Sequence, residues 1–326
     1  MRVFRHIENL PAEVAGAVIA IGNFDGVHRG HQAVIGAAKD IAKANSAPLG
    51  LLTFEPHPRS VFSPKAPPFR LSTLRTRSHH MEALGVDCLF VLHFDMDFAA
   101  ISAEDFVADI LVGGLKARHV VVGENFVFGH RRRGNVEVLK DLAEHHGFGV
   151  DCITPVRDDG DMVSSGGIRD LVRQGDVKSA ALALGRFWEI EARVEHGDGR
   201  GRHLGYATAN LRLAEHLNPA FGIYAVRAGI DAGRATVWHD GVASFGKRPT
   251  FGGSEPLFEV HLFDFDADIY GRHLRVRLVD YLRGEEKFDD ASALVAQMEK
   301  DAAAARSILA KVDAGPSMEN SAAASS

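Results

Sequence analysis

The sequence predicts a doubly wound α/β domain with a parallel sheet, followed by a small antiparallel β-barrel domain with a C-terminal helix. Three observations predict it. Up to about residue 185, short apolar runs alternate with amphipathic segments. The apolar runs there are continuous, as strands covered by helices on both faces must be. Beyond Gly185-Arg186-Phe187, several runs alternate polar and apolar between Gly, Pro and Asp, the pattern of a small barrel with one wet face.

In chain order, 17–21 reads as a buried strand and 31–44 as a helix. Strand 49–54, helix 73–84 and strand 88–92 follow. A helix over 103–112 has Ser102 as its cap. Strand 119–122, helix 136–146 and strand 150–153 complete the first domain, expected over 1–185. Barrel strands are expected at 189–195, 222–230, 235–243, 257–263 and 274–281, the last carrying the alternation Arg275-Val276-Arg277-Leu278-Val279. The closing helix spans 291–312, with Leu294, Met298, Ala302 and Ile308 at near-helical spacing. The second domain is thus expected over 186–312. The Ala- and Ser-rich tail, 313–326, reads as disordered.

Composition excludes some function classes. The 326 residues are 46% hydrophobic and 25% charged, enough apolar material for two cores, and the net charge is -6. A nucleic-acid surface would show clustered Lys and Arg. The one dense basic run, His130-Arg131-Arg132-Arg133, reads equally as a solvated loop or a phosphate contact. Cys88 and Cys152 lie in apolar stretches without metal-type spacing, so both read as reduced core residues of a cytoplasmic protein. Asn9, Pro11 and Glu13 interrupt any leader-like run, and no stretch reaches the roughly 18 apolar residues that span a bilayer. Neither a membrane nor a nucleic-acid partner is expected; oligomeric state is not readable.

The densest motif is the run from Gly22 to His31, Gly-Asn-Phe-Asp-Gly-Val-His-Arg-Gly-His, between the first strand and first helix. In a parallel sheet this is the carboxyl edge, where ligands bind. Its glycines allow the backbone to approach a phosphate closely. His28 and His31 would place two donors at a helix N-terminus, beside a phosphate chain. Adenylyl transfer needs that kind of charge stabilisation and no covalent nucleophile. Taken in isolation, two histidines so spaced are more often a turn residue and a cap.

The run resembles the H-x-G-H signature of the nucleotidylyltransferases. Its Phe24-Asp25-Gly26 resembles, in particular, the FMN adenylyltransferase module of bacterial bifunctional riboflavin kinase/FAD synthetases. The resemblance implies that His28 and His31 are catalytic and that Gly22, Phe24, Asp25, Gly26 and Gly30 line the ATP site. Phe54 lies in a segment, Phe54-Glu55-Pro56-His57-Pro58, resembling the family's F-x-P-H-P. Residues 121–129 resemble its V-G-x-D/N-F-x-F-G. By that resemblance Asn125 contacts the nucleotide or flavin, and Phe54, Phe62 and Phe128 line the flavin pocket. Residues 163–169 resemble the family's S-S-T-x-I-R phosphate motif, so Ser164, Ser165 and Arg169 are expected at the triphosphate. Gly166 and Gly167 depart from that pattern: a hydroxyl residue is common at 166, and its loss removes one donor.

The second half carries the rest of the resemblance. The glycine-rich stretch with Gly197, Gly199 and Gly201, then Gly205-Tyr206-Ala207-Thr208-Ala209-Asn210, resembles the riboflavin kinase signature G-x-P-T-A-N. The four glycines, Gly205 included, are thereby expected at ATP, and Thr208 and Asn210 at Mg²⁺, which prefers hard oxygen donors. Ala207 stands where the pattern has proline. Residues 241–252 resemble G-V-x-x-x-G-x-R-P-T-F-G, which places Arg248 at the flavin. Residues 258–265 resemble the E-x-H-L-x-D-F strand, which makes Glu259 the general base. The implied activity is ATP-dependent phosphorylation of riboflavin to FMN, then adenylylation of FMN to FAD with release of pyrophosphate. The departure at Gly166-Gly167 keeps a kinase-only alternative open. A non-catalytic flavin-binding regulator fits the retained histidines and Glu259 less well.

Overall fold

The computed structural model describes residues 1–158, 160–197, 206–247 and 256–312. Two compact units make up the chain. One is Met1–Pro67 with Arg77–Val163; the other is Pro68–Thr76 with Ser164–Ser326.

The first unit is built on six parallel strands: β1 (Arg2–Phe4), β2 (Val18–Ile21), β3 (Leu49–Glu55), β4 (Cys88–His93), β5 (His119–Gly123) and β6 (Gly149–Ile153). Their order is β1-β4-β3-β2-β5-β6, parallel throughout. From β2 the chain winds one way through β3 and β4, then crosses back to β5 and β6. The switch point therefore lies between the carboxyl ends of β2 and β5, where this architecture opens a crevice. All four residues of β2 are buried, as two-sided covering requires.

Helix α1 (Arg29–Ala44) leaves β2, with Val34, Ile35, Ala38 and Ala42 as its buried stripe. The short α2 (Pro58–Phe62) follows β3. Helix α3 (Leu74–Ala83) gives Arg77–Ala83 to this unit. The expected helix over 103–112 is instead one α-turn, α4 (Ala103–Asp105), running on as a π-helix, Phe106–Gly114. The apolar pattern was blind to this, because Phe106, Val107, Ile110 and Leu111 fall on one side in either winding. Helix α5 (Val136–His146) starts on an Asn135 cap, whose Oδ1 accepts from the Val138 N–H at 2.9 Å. It ends at Gly147 in the left-handed region, φ 79°. Strand β1 escaped notice because three residues carry no periodicity.

A small two-stranded ribbon, β7 (Arg157–Asp158) with β8 (Asp161–Met162), also belongs to the first unit. In the second unit, α6 (Ser165–Gln174) and α7 (Val177–Leu184) precede a closed barrel. Its strands are β9 (Trp188–Glu195), β10 (Ala209–Leu211), β11 (Gly222–Ile230), β12 (His239–Lys247), β13 (Pro256–Leu262) and β14 (His273–Arg283), in the order β10-β13-β12-β11-β14-β9. Alternate barrel residues fill the interior: Tyr224, Phe245, Phe258, Val276 and Leu278 are all fully buried. Helix α8 (Ala291–Leu309) packs Ala305 and Leu309 on Ala225, Phe263 and Val279.

The strand expected at 235–243 begins later, at His239. Gly233–Ala235 forms a 3₁₀ turn, and Thr236 closes it locally. Its hydroxyl accepts from the Ala232 N–H at 3.0 Å and donates to the Gly233 carbonyl at 2.8 Å. Such hydroxyl bonds compete with a ladder, so apolar Val237 is left 69% exposed instead of entering the strand. The expected parallel sheet, antiparallel barrel and closing helix are all present. The expectation of a disordered tail over 313–326 lies outside the described residues.

Candidate active sites

The Gly22–His31 loop occupies the carboxyl end of β2, at the switch point. Three of its residues take left-handed backbone: Phe24 (φ 49°), Gly26 (φ 83°) and Val27 (φ 43°). Only glycine does so without strain, so the two side-chain-bearing residues are held there by their surroundings. Phe24, Asp25 and Val27 are all buried. A Cβ at Gly22 would stand 3.3 Å from the Phe24 ring, so glycine lets that ring fold back over the strand end.

His28 is the N-cap of α1. Its Nδ1 accepts from the His31 main-chain N–H at 3.3 Å. That assigns the ring proton to Nε2, which is therefore the donor-bearing nitrogen. The His28 and His31 rings stack at 3.6 Å, 20° from parallel, and Phe24 meets His31 edge-on at 5.3 Å. The two imidazoles thus form one rigid element at the helix N-terminus, where partial positive charge favours anions. A Cβ at Gly30 would come 3.1 Å from His28 ring atoms and 3.4 Å from the Val163 carbonyl. Stacked and capped rings of this kind can donate to a phosphoryl oxygen without reorganising.

Across the switch point, Asn125 follows β5 and is exposed. The turn that carries it is closed by the Phe126 N–H donating to the Gly123 carbonyl at 3.0 Å. A run of rings lies beyond. Phe62, 59% exposed, meets Phe94 at 5.8 Å; Phe94 and Phe98 both contact Phe54. Phe98 meets Phe106, and Phe106 meets Phe128 at 5.4 Å. Phe128 itself is buried, and half-buried Phe126 stacks on it at 5.3 Å. Phe62 ends this row at the surface, Phe54 lies half-buried within it, and Phe128 is seated in the core.

Ser164, Ser165 and Arg169 fall in the second unit. Ser164 caps α6, its Oγ accepting from the Gly167 N–H at 3.2 Å. Arg169 donates through Nε to the Phe69 carbonyl at 2.8 Å, with its guanidinium over the Phe69 ring. A Cβ at Gly166 or Gly167 would meet only the Ser164 Oγ, at 3.7 Å. Packing therefore demands glycine at neither position, and the Ser164 cap survives the departure from the family pattern.

In the barrel, Thr208 is half-buried just before β10 and Asn210 is buried within it. The register pairs Asn210 with Glu259 on β13, and Glu259 with Ser244 on β12. Directly opposed residues of antiparallel strands share a face. Asn210, Glu259 and Ser244 are thus on the opposite face from Phe258 and Val260. A Cβ at Gly197 would fall 2.1 Å from Asn210 Nδ2, so glycine lets the Asn210 carboxamide lie directly on the main chain. His261 bonds through Nδ1 to the Ala207 carbonyl at 2.9 Å, fixing the approach to Thr208. Gly199, Gly201, Gly205 and Arg248 lie outside the described residues.

Sequence reasoning missed the support beneath the histidine loop. Arg77, fully buried, donates to the Asn23 carbonyl, to Thr53 Oγ1 at 3.3 Å and to the Glu55 carboxylate. The Thr53 hydroxyl also donates to the Asn23 carbonyl, at 3.3 Å. The only available signal was Thr53 and Glu55 flanking Phe54 in the F-x-P-H-P segment.

Residues 10–167 match a family model described as FAD synthetase, and residues 184–309 one described as riboflavin kinase. The chain is 37% identical to the bifunctional riboflavin kinase/FMN adenylyltransferase of Haemophilus influenzae, over 94% of this chain and 98% of that protein. It is 36% identical to the protein of the same description from Escherichia coli, over 94% of this chain and 97% of that one. Among solved structures it is similar to a Streptococcus pneumoniae protein described as a macrolide-efflux protein. The TM-score is 0.82 and the identity 32%, covering 93% of this chain and 98% of the other. Among the described residues, no helix is long and apolar enough to cross a membrane.

Proposed function

The chain belongs to the family of bifunctional riboflavin kinase/FMN adenylyltransferases, and from that premise we propose that it makes FMN from riboflavin and FAD from FMN, spending one ATP on each step. The observation that supports this reading is the presence in one chain of two separate polar constellations at the positions where the resemblance expects phosphate chemistry. One is the stacked His28–His31 pair at the switch point; the other is the Asn210–Glu259 cross-strand pair of the barrel.

In the kinase step, Glu259 accepts the proton of the riboflavin 5′-hydroxyl as its oxygen attacks the γ-phosphorus of ATP, and ADP leaves. The oxygens of Thr208 and Asn210 are the hard donors Mg²⁺ prefers, and the Asn210 carboxamide lies close against Gly197. Bound there, Mg²⁺ would neutralise phosphate charge. In the adenylyl step, an oxygen of the FMN phosphate attacks the α-phosphorus of a second ATP and pyrophosphate leaves. His28, through Nε2–H, and His31 stabilise the charge that develops on the phosphoryl oxygens. The flavin ring is received beside Phe54 and Phe62. Ser164, Ser165 and Arg169 serve the triphosphate. Two free cysteines fit a reducing, cytoplasmic setting.

The test is to incubate purified protein with riboflavin, ATP and Mg²⁺ and resolve the flavins by chromatography. FMN and FAD together are expected. FMN without FAD, even when FMN is supplied, would establish the kinase-only alternative. Neither product would refute both.

A further inference from the structure

We propose that Arg77 is a positioning residue for adenylyl transfer: its guanidinium fixes the Asn23 carbonyl, and through it the loop that sets His28 and His31. The proposal rests on the adenylyltransferase reading of that loop.

Arg77 reaches the loop from α3 and is fully buried. A buried cation must be paired, and Glu55 at the end of β3 supplies the carboxylate. Pairing alone would not require a contact with the loop. Yet one terminal nitrogen donates both to the Asn23 main-chain oxygen and to Thr53 Oγ1. Thr53 in turn donates to the same Asn23 oxygen. That carbonyl has two acceptor sites, and these two donors supply one for each.

The path of the chain after Asn23 explains why such a clamp belongs here. Phe24 and Val27 sit in the left-handed region, which non-glycine residues keep only where the surroundings over-determine it. The loop then has one residue, His28, to convert into a helix cap whose ring must also stack on His31. Fixing Asn23 sets the start of that path. A guanidinium is suited to it because a planar fork addresses a carbonyl, a hydroxyl and a carboxylate at once, which a lysine ammonium does not reproduce.

The experiment uses the full chain and measures both half-reactions, FMN to FAD and riboflavin to FMN, with thermal unfolding as a folding control. Arg77→Lys is expected to lower kcat for FAD formation by about 100-fold, the order expected when catalytic groups are displaced by about 1 Å. KM for ATP should stay within about threefold, since the triphosphate groups are untouched, and riboflavin phosphorylation should be unchanged. Thr53→Val keeps the side-chain shape and removes only the hydroxyl; it should lower the same kcat by several-fold at unchanged melting temperature. If Arg77→Lys does not fold, Thr53→Val decides alone. A folded Arg77→Lys with kcat within threefold of the starting protein overturns the proposal. So does a loss expressed in KM rather than kcat, or a folded Thr53→Val with unchanged kcat where Arg77→Lys cannot be read. Failure of the unaltered chain to make FAD from FMN overturns the adenylyltransferase reading itself, and is seen before any variant is compared.

Discussion

Substituting Gly30 by alanine asks whether the stacked histidine pair must be held to within tenths of an ångström. The new Cβ would stand 3.1 Å from Cε1 and Nδ1 of His28 and 3.4 Å from the Val163 carbonyl. The first contact is tight enough that the ring must yield by a few tenths of an ångström. His28 is buried and already stacked at 3.6 Å on His31, so the shift is taken up inside the pair. Two stability effects oppose each other. Alanine is favoured over glycine in a helix by up to about 1 kcal/mol, and weakening the His28 cap costs about 1 kcal/mol. The melting temperature should therefore hardly move. Activity should move: a 1 Å misplacement costs about 100-fold, so a few tenths should cost roughly three- to tenfold in FAD formation. Initial rates of FMN adenylylation, with riboflavin phosphorylation followed in the same preparation, measure both quantities. An adenylylation rate within twofold of the unaltered chain would refute the reasoning, as would an equal loss of both steps.

Three further outcomes are expected. Glu259→Gln should abolish riboflavin phosphorylation and leave FMN adenylylation intact, while His28→Ala with His31→Ala should do the reverse; chromatography of the flavins distinguishes the two. Gly197→Ala should cost the kinase step at least tenfold and raise its Mg²⁺ requirement, because the added carbon would fall 2.1 Å from Asn210 Nδ2 and expel that carboxamide; titration of kinase activity with Mg²⁺ checks this. Burial pushes the Glu191 carboxyl from 4.5 up to about 7, against the pull of Arg75, with Asp231 and Glu189 adding to the rise and Arg275 opposing it. An acid raised on folding stabilises the fold below its unfolded value, and that stability is lost as pH climbs through the folded value. Melting temperature should thus fall between about pH 5 and pH 8 in the unaltered chain and fall less in Glu191→Gln; parallel profiles would remove Glu191 as the cause.

What the sequence disclosed depended on whether a feature is local in the chain. Gly22 to His31 is contiguous, so both its chemistry and its place between strand and helix could be read directly. Thr208, Asn210 and Glu259 lie in recognisable segments, but only the β10–β13 register puts Asn210 opposite Glu259. Arg77 was illegible: its partners Asn23 and Glu55 are 54 and 22 residues away, and an arginine on a polar helix reads as solvated. The start of β12 was misread because a threonine hydroxyl, which composition does not weigh, closed a turn inside an apolar run. The resemblance placed Phe128 in the flavin pocket, yet Phe128 is buried while Phe126 is half-buried; two aromatic residues two apart give the sequence no signal of which is the more buried.

The barrel's unit takes in a strip from far upstream, Pro68–Thr76, as well as everything from Ser164 onward. Trp188, buried at the head of β9, donates its indole N–H to the Leu71 carbonyl at 2.8 Å, and the Leu217 N–H donates to the Arg70 carbonyl at 2.8 Å. No single cut in the gene separates the two halves cleanly. A fragment begun at Ser164 leaves the Trp188 indole N–H and the Leu217 N–H without these acceptors. A fragment ended at Val163 carries a ribbon of main chain whose partners have gone.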